Sequence, residues 1–157
     1  MNLIENNPYR VLGLTANASA KDIRESEIRL KRYLEVGEDA KLKLDLSPPL
    51  KNLKRTEALV SKTKNLIHND KDKVLHAFYW FVKKTPVDDF ALEILTKEKN
   101  LEAALSNFLK GCRNFNLSKT SSSAILNHST LDIISYIEHK DESRVKLAIQ
   151  RKFAILN

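Results

Sequence analysis

The order of apolar and polar positions predicts a chain built of helices. Asn7 is set to cap a short helix beginning at Pro8, where a missing N–H costs nothing, and Gly13 to close it in a left-handed turn. Tyr9 and Leu12 are its inward residues. Ser19-x-x-Asp22 then reads as a capping box for a second, longer helix. Ile23, Ser26, Leu30, Tyr33 and Leu34 recur along it at the helical period, and Ile28 falls on the opposite side as an isolated exposed residue. Gly37 ends this helix. Residues 38–55 form a charged loop in which Pro48 and Pro49 prevent a regular helix.

A third helix is expected over Thr56–His68, with Leu59, Thr63, Leu66 and Ile67 inward and Val60 at the edge. Asp70 is the expected cap of a fourth. Its run VLHAFYWFV, residues 74–82, is apolar on most sides and so expected to be buried on most sides. Thr85–Pro86 breaks the pattern, which places a domain boundary between residues 85 and 86. A fifth helix follows with Val87, Phe90, Ala91, Ile94 and Leu95 inward and Asp88 and Asp89 in its acid-favouring first turn. Asn100 caps a sixth, whose Leu101, Ala104, Leu105, Phe108, Leu109 and Cys112 give the cleanest periodicity in the chain. Two short helices, over 118–127 and 129–138, and a last one over 141–156 complete the pattern. In that last helix Val145, Ala148, Ile149, Phe153 and Leu156 are expected inward. The apolar segment FAIL so near the end of the sequence carries the expectation that the native protein continues.

Composition agrees with a helical, globular chain: 42% hydrophobic and 30% charged residues, three Gly and four Pro in 157. No apolar run is long enough to span a bilayer, and the first residues lack the apolar core of a secretory signal, so the expected location is cytoplasmic. A single cysteine, Cys112, rules out an internal disulfide and a cysteine-rich metal site. No phosphate-binding glycine loop, metal-ligand cluster or nucleophile motif is present, so neither a catalytic residue nor a cofactor is assigned. The net charge of +7 is uneven: residues 1–85 carry 17 bases and 11 acids, residues 86–157 carry 10 and 9. A basic first half points to an acidic protein surface or to nucleic acid.

The run Pro8-Tyr9-Arg10-Val11-Leu12-Gly13-Leu14, followed by Ala18-Ser19-Ala20-Lys21-Asp22-Ile23-Arg24, resembles the J domain, the module that recruits chaperones of the seventy-kilodalton heat-shock class. Leu30 and Leu34 sit at that family's inward positions. Lys64-Asn65-Leu66-Ile67 and Asp70-Lys71-Asp72-Lys73 resemble the end of its third helix and the turn into its fourth. The resemblance implies a basic second helix that docks on an acidic partner and a His-Pro-Asp tripeptide that stimulates the partner's ATPase. Here Glu35, Val36 and Gly37 stand at the tripeptide, and none of the histidines, at 68, 76, 128 and 139, lies in that loop. The resemblance therefore implies a J-like scaffold without the trigger. Ala91-x-x-x-Leu95 to Asn100-Leu101-x-x-Ala104-Leu105 is similar to a tetratricopeptide hairpin, although Asn100 and Asp141 are spaced too widely for a strict repeat.

The expected architecture is thus all-α: a J-like unit over 1–85, packed against or followed by antiparallel helical hairpins over 86–157. The expected function is a non-enzymatic interaction module, with Arg24, Arg29, Lys31 and Arg32 as the partner-binding candidates. The first rival is nucleic-acid binding through those four residues with Lys51, Lys54 and Arg55. The second is a functional co-chaperone.

Overall fold

A computed structural model of the chain describes residues 2–156, apart from the side chains of Asn2 and Glu138. Among the described residues there are helices and connecting segments and no strand. The chain divides into two compact units, one ending at Trp80 and the other starting at Phe81, five residues before the expected boundary.

The first unit contains α1 (Asn2–Glu5), α2 (Pro8–Leu12), α3 (Ala20–Glu35), α4 (Glu57–Leu66) and α5 (Asp70–Phe78). The expected punctuation is in place. Asn7 Oδ1 accepts from Tyr9 N at 3.0 Å, and Gly13 adopts φ 67° after α2. Ser19 and Asp22 cap each other reciprocally at the start of α3. Packing among α2, α3 and α4 buries Tyr9, Val11, Leu12, Leu30, Val60 and Ile67. Ser26 joins the first two of these helices by donating to Leu12 O at 2.5 Å. The indole of Trp80 is fully buried and donates to Leu14 O at 2.9 Å.

Several expectations shift. In α4, Val60 and Thr63 are buried while Leu66 is exposed, so Val60 is central to the inner face rather than marginal. Asn69, not Asp70, caps α5, through a 2.9 Å bond from Asp72 N. The run 74–82 is not one buried helix. The helix stops at Phe78 and buries none of its residues, with Val74 and Leu75 exposed, whereas Trp80 and Phe81 are buried beyond its end.

The second unit contains α6 (Pro86–Glu93), a wide π turn over Ile94–Glu98, α7 (Leu101–Gly111), α8 (Ser122–His139) and α9 (Glu142–Ala154). Each helix packs on the next, and α6 also reaches α8. Asn100 caps α7 as expected. The two short pieces expected over 118–138 are a single helix, α8. Ser123 and Asn127 are buried in it rather than helix-breaking, because they bond to neighbouring segments. Ser123 Oγ donates to Asp88 Oδ2 at 2.8 Å, and Asn127 Nδ2 donates to Asp88 Oδ1 at 2.9 Å and to Val82 O at 2.7 Å. Asp88 is therefore a buried polar staple, which rotates the inner face of α6 to Asp88, Ala91 and Leu92 and leaves Phe90 exposed. The face of α9 is rotated as well. Ala148 and Lys152 are buried, and Ile149, Phe153 and Leu156 are exposed against expectation. Lys152 Nζ donates to Thr130 Oγ1 at 2.8 Å. Burial brings its pKa down to about 7.

Candidate functional site

The candidate site lies on the solvent face of α3. One side of this helix is committed to the core through Ser26 and Leu30. Half-buried Glu27 sits beside that inner face. It takes an ion pair from Lys31 at 3.0 Å and another from Lys64 of α4 at 3.5 Å. The hydrogen bond from Lys31, and the positive charges of Lys31 and Lys64, hold the Glu27 carboxyl below the usual range. Lys64 thus ties α4 to α3 through Glu27, while Lys31 pairs with Glu27 within α3 and is only half exposed.

The opposite side carries a groove of about 550 Å³ lined by Glu25, Ile28, Arg29, Arg32, Tyr33, Val36 and Glu38. Three of these are apolar or aromatic side chains left in water: Ile28 is 42% exposed, Tyr33 39% and Val36 71%. Arg29 and Arg32 rise between them. Both are exposed, as is Arg24 just outside the groove. Among the described residues no carboxylate lies within ion-pair distance of any of these three guanidiniums, whereas Lys21 reaches Glu25 at 3.8 Å.

The end of α3 shapes the groove. Val36 N bonds back to Arg32 O, Gly37 N to Leu34 O at 3.1 Å and Glu38 N to Tyr33 O at 2.9 Å, with Gly37 at φ 75°. Glu35, Val36 and Gly37 are therefore the last residue of the helix and its left-handed stop. The chain turns there and brings Val36 and Glu38 to the rim of the groove.

Of the four candidates read from the sequence, the structure places Arg29 and Arg32 together in the groove. Arg24 stays outside its lining, and Lys31 turns toward Glu27. Tyr33 was expected in the core and instead lines the groove. The helical period allows this, because a 100° step puts Tyr33 at the edge of the stripe that holds Ser26 and Leu30.

The wider basic set is not one surface. Arg55 has a fully buried side chain that donates to Val11 O at 2.8 Å, Ala40 O at 2.8 Å and Arg10 O at 3.2 Å. It also holds both carboxylate oxygens of Asp45. Arg10, buried as well, donates to the backbone oxygens of Glu5, Asp45 and Lys51. These two arginines clasp the 38–55 loop onto α2, so Arg55 is withdrawn as a phosphate contact. Lys51 is exposed and lies 3.9 Å from Glu5. Lys54 is exposed.

No known protein family, curated protein or solved structure matches the chain. Among the described residues, no group of three or more His, Cys, Asp or Glu side chains is placed to hold a metal ion, and no helix is long and apolar enough to cross a membrane. Cys112 is buried, and burial pushes its thiol up to about 12, a protonated and unreactive state.

Proposed function

We propose that this chain is a non-enzymatic interaction module, a cytoplasmic J-like adaptor lacking the ATPase-stimulating tripeptide, which binds a protein partner through the outer face of α3. The observation that carries the reading is the coincidence on one face of exposed Ile28, Tyr33 and Val36 with Arg29 and Arg32, whose charges the described residues leave unpaired. Interfaces favour this mixture, with apolar anchors removed from water and arginines whose planar forks suit carboxylates. The J-like part of the reading rests on the sequence resemblance. Glu35, Val36 and Gly37, standing where the resemblance implies His-Pro-Asp, speak against chaperone stimulation. Burial of Arg55 and the half-buried, paired state of Lys31 weaken the nucleic-acid reading, because they thin the proposed phosphate-binding track.

Photo-cross-linking tests this reading. A benzophenone amino acid placed at Ile28 is expected to give protein adducts in cells, and the same group at exposed Lys71 on α5 is not. Nucleic-acid adducts at Ile28, or equal yields at both positions, would refute it.

A further inference from the structure

The groove on α3 has an order of charge that narrows its occupant. Along the helix axis come Glu25, then Arg29 and Arg32, then Glu38 beyond the turn, with Ile28, Tyr33 and Val36 distributed among them. The pattern is acid, base, base, acid. Glu25 to Val36 covers about 16 Å of helix at 1.5 Å per residue, the length of about three turns of a partner helix. Arg29 and Arg32 are three residues apart and so lie on neighbouring ridges of the same exposed face.

Resting on the adaptor reading above, we propose that the groove takes an amphipathic helical segment of a partner protein with the complementary order: basic or neutral at its ends, two carboxylates at its centre, and an apolar stripe between. The stripe covers Ile28, Tyr33 and Val36, and the stems of the two arginines complete the apolar floor. The central carboxylates meet Arg29 and Arg32, for which paired N–H donors make carboxylate a better match than a point charge would be. Glu25 and Glu38 select against a segment that is acidic throughout, because like charges facing each other at both ends oppose docking. They select against a nucleic-acid strand for the same reason: its phosphates would run over both acids and over three apolar side chains. The groove therefore reads the arrangement of charge and not its sum.

Two peptides of about twelve residues test this, with equal length and zero net charge. One carries leucines on one face, two glutamates at its centre and a lysine near each end. The other exchanges the glutamates and lysines. Each is fluorescein-labelled and titrated with the full chain, with anisotropy as the readout. Saturable binding is expected for the acid-centred peptide, with about tenfold weaker binding of its exchanged counterpart. The chain carrying Arg29→Glu and Arg32→Glu is expected to reverse that preference, and Ile28→Asp to weaken both peptides. Because the decisive exchange is made in the peptide, the result does not hinge on a variant's folding. Equal binding of the two peptides, no binding at low salt, or tighter binding of an oligothymidine strand would overturn the proposal. Protein adducts at Ile28 without a peptide preference would remove the charge order alone and leave the adaptor reading in place.

Discussion

Arginine has two opposite employments within the first unit. Arg10 and Arg55 are buried, and their guanidiniums are surrounded by backbone carbonyls and by Asp45. Arg29 and Arg32, on the outer face of α3, point into water beside apolar side chains and have no carboxylate in reach among the described residues. Buried arginine is tolerable only when its donors are satisfied, and its removal then strands several carbonyls and a carboxylate. Exposed arginine contributes little to the fold, and its charge remains available to a partner. The same residue type thus divides by environment into structure and surface, and charge counting alone would have pooled them.

The largest expected effect strikes the buried side. Arg55→Ala leaves Asp45 and the carbonyls of Val11, Ala40 and Arg10 without their donor, and should cost about 3–5 kcal/mol in equilibrium denaturation. A loss below about 1 kcal/mol, the scale of an exposed ion pair, would erase the contrast. Next is the loop that the clasp holds. A Cβ on Gly13 would overlap the Leu42 side chain, and the backbone there has φ 67°. Gly13→Ala is therefore expected to cost about 1–3 kcal/mol, read by the same method. Stability unchanged by this substitution would mean that Leu42 does not rest on α2.

The second unit extends the comparison to a buried lysine. Lys152 releases its proton near pH 7 when folded but near pH 10 when unfolded, so between those values the unfolded chain binds more protons and stability rises with pH. The Cys112 thiol works in the other direction above about pH 8.5, where the unfolded thiol ionises while the folded one stays protonated to about 12. Stability should therefore rise by about 1.5 kcal/mol from about pH 7 to 8.5 and then level off. Lys152→Met should flatten the rise. A profile that falls over that interval would show that burial does not depress this amine.

How far these environments could be read from the sequence depends on the kind of signal. Caps and stops are local, and Asn7, Gly13, Ser19, Gly37 and Asn100 are where the pattern put them. Inner faces were largely legible where apolar residues recur without interruption, as at Ala104, Leu105, Phe108 and Cys112, although Leu109 of the same pattern is exposed. They were not legible where a polar residue is buried by partners distant in sequence. Asp88 finds Ser123 and Asn127 from α8, and Lys152 finds Thr130, and each turns its helix away from the most apolar face. Arg55 was misassigned for the same reason, since nothing adjacent to it announces Asp45 or the carbonyl of Val11. In the candidate site, the helical period brought out Arg29, Arg32 and exposed Ile28. Tyr33 lay at the edge of the apolar stripe, and the contributions of Val36 and Glu38 depend on how α3 ends and the chain turns.

The smallest stability effect belongs to the surface pair. Arg29→Glu with Arg32→Glu should shift unfolding free energy by no more than about 0.5 kcal/mol, because both side chains are exposed and neither has an ion-pair partner among the described residues. That makes the double variant the most direct test of the claim that the outer face of α3 exists for binding. The measurement is the yield of protein adducts from the photo-cross-linker at Ile28, taken with the melting midpoint of the same chain. Loss of the adducts at an unchanged midpoint is the predicted result. Adducts that persist, or that vanish only in step with a falling midpoint, would contradict it.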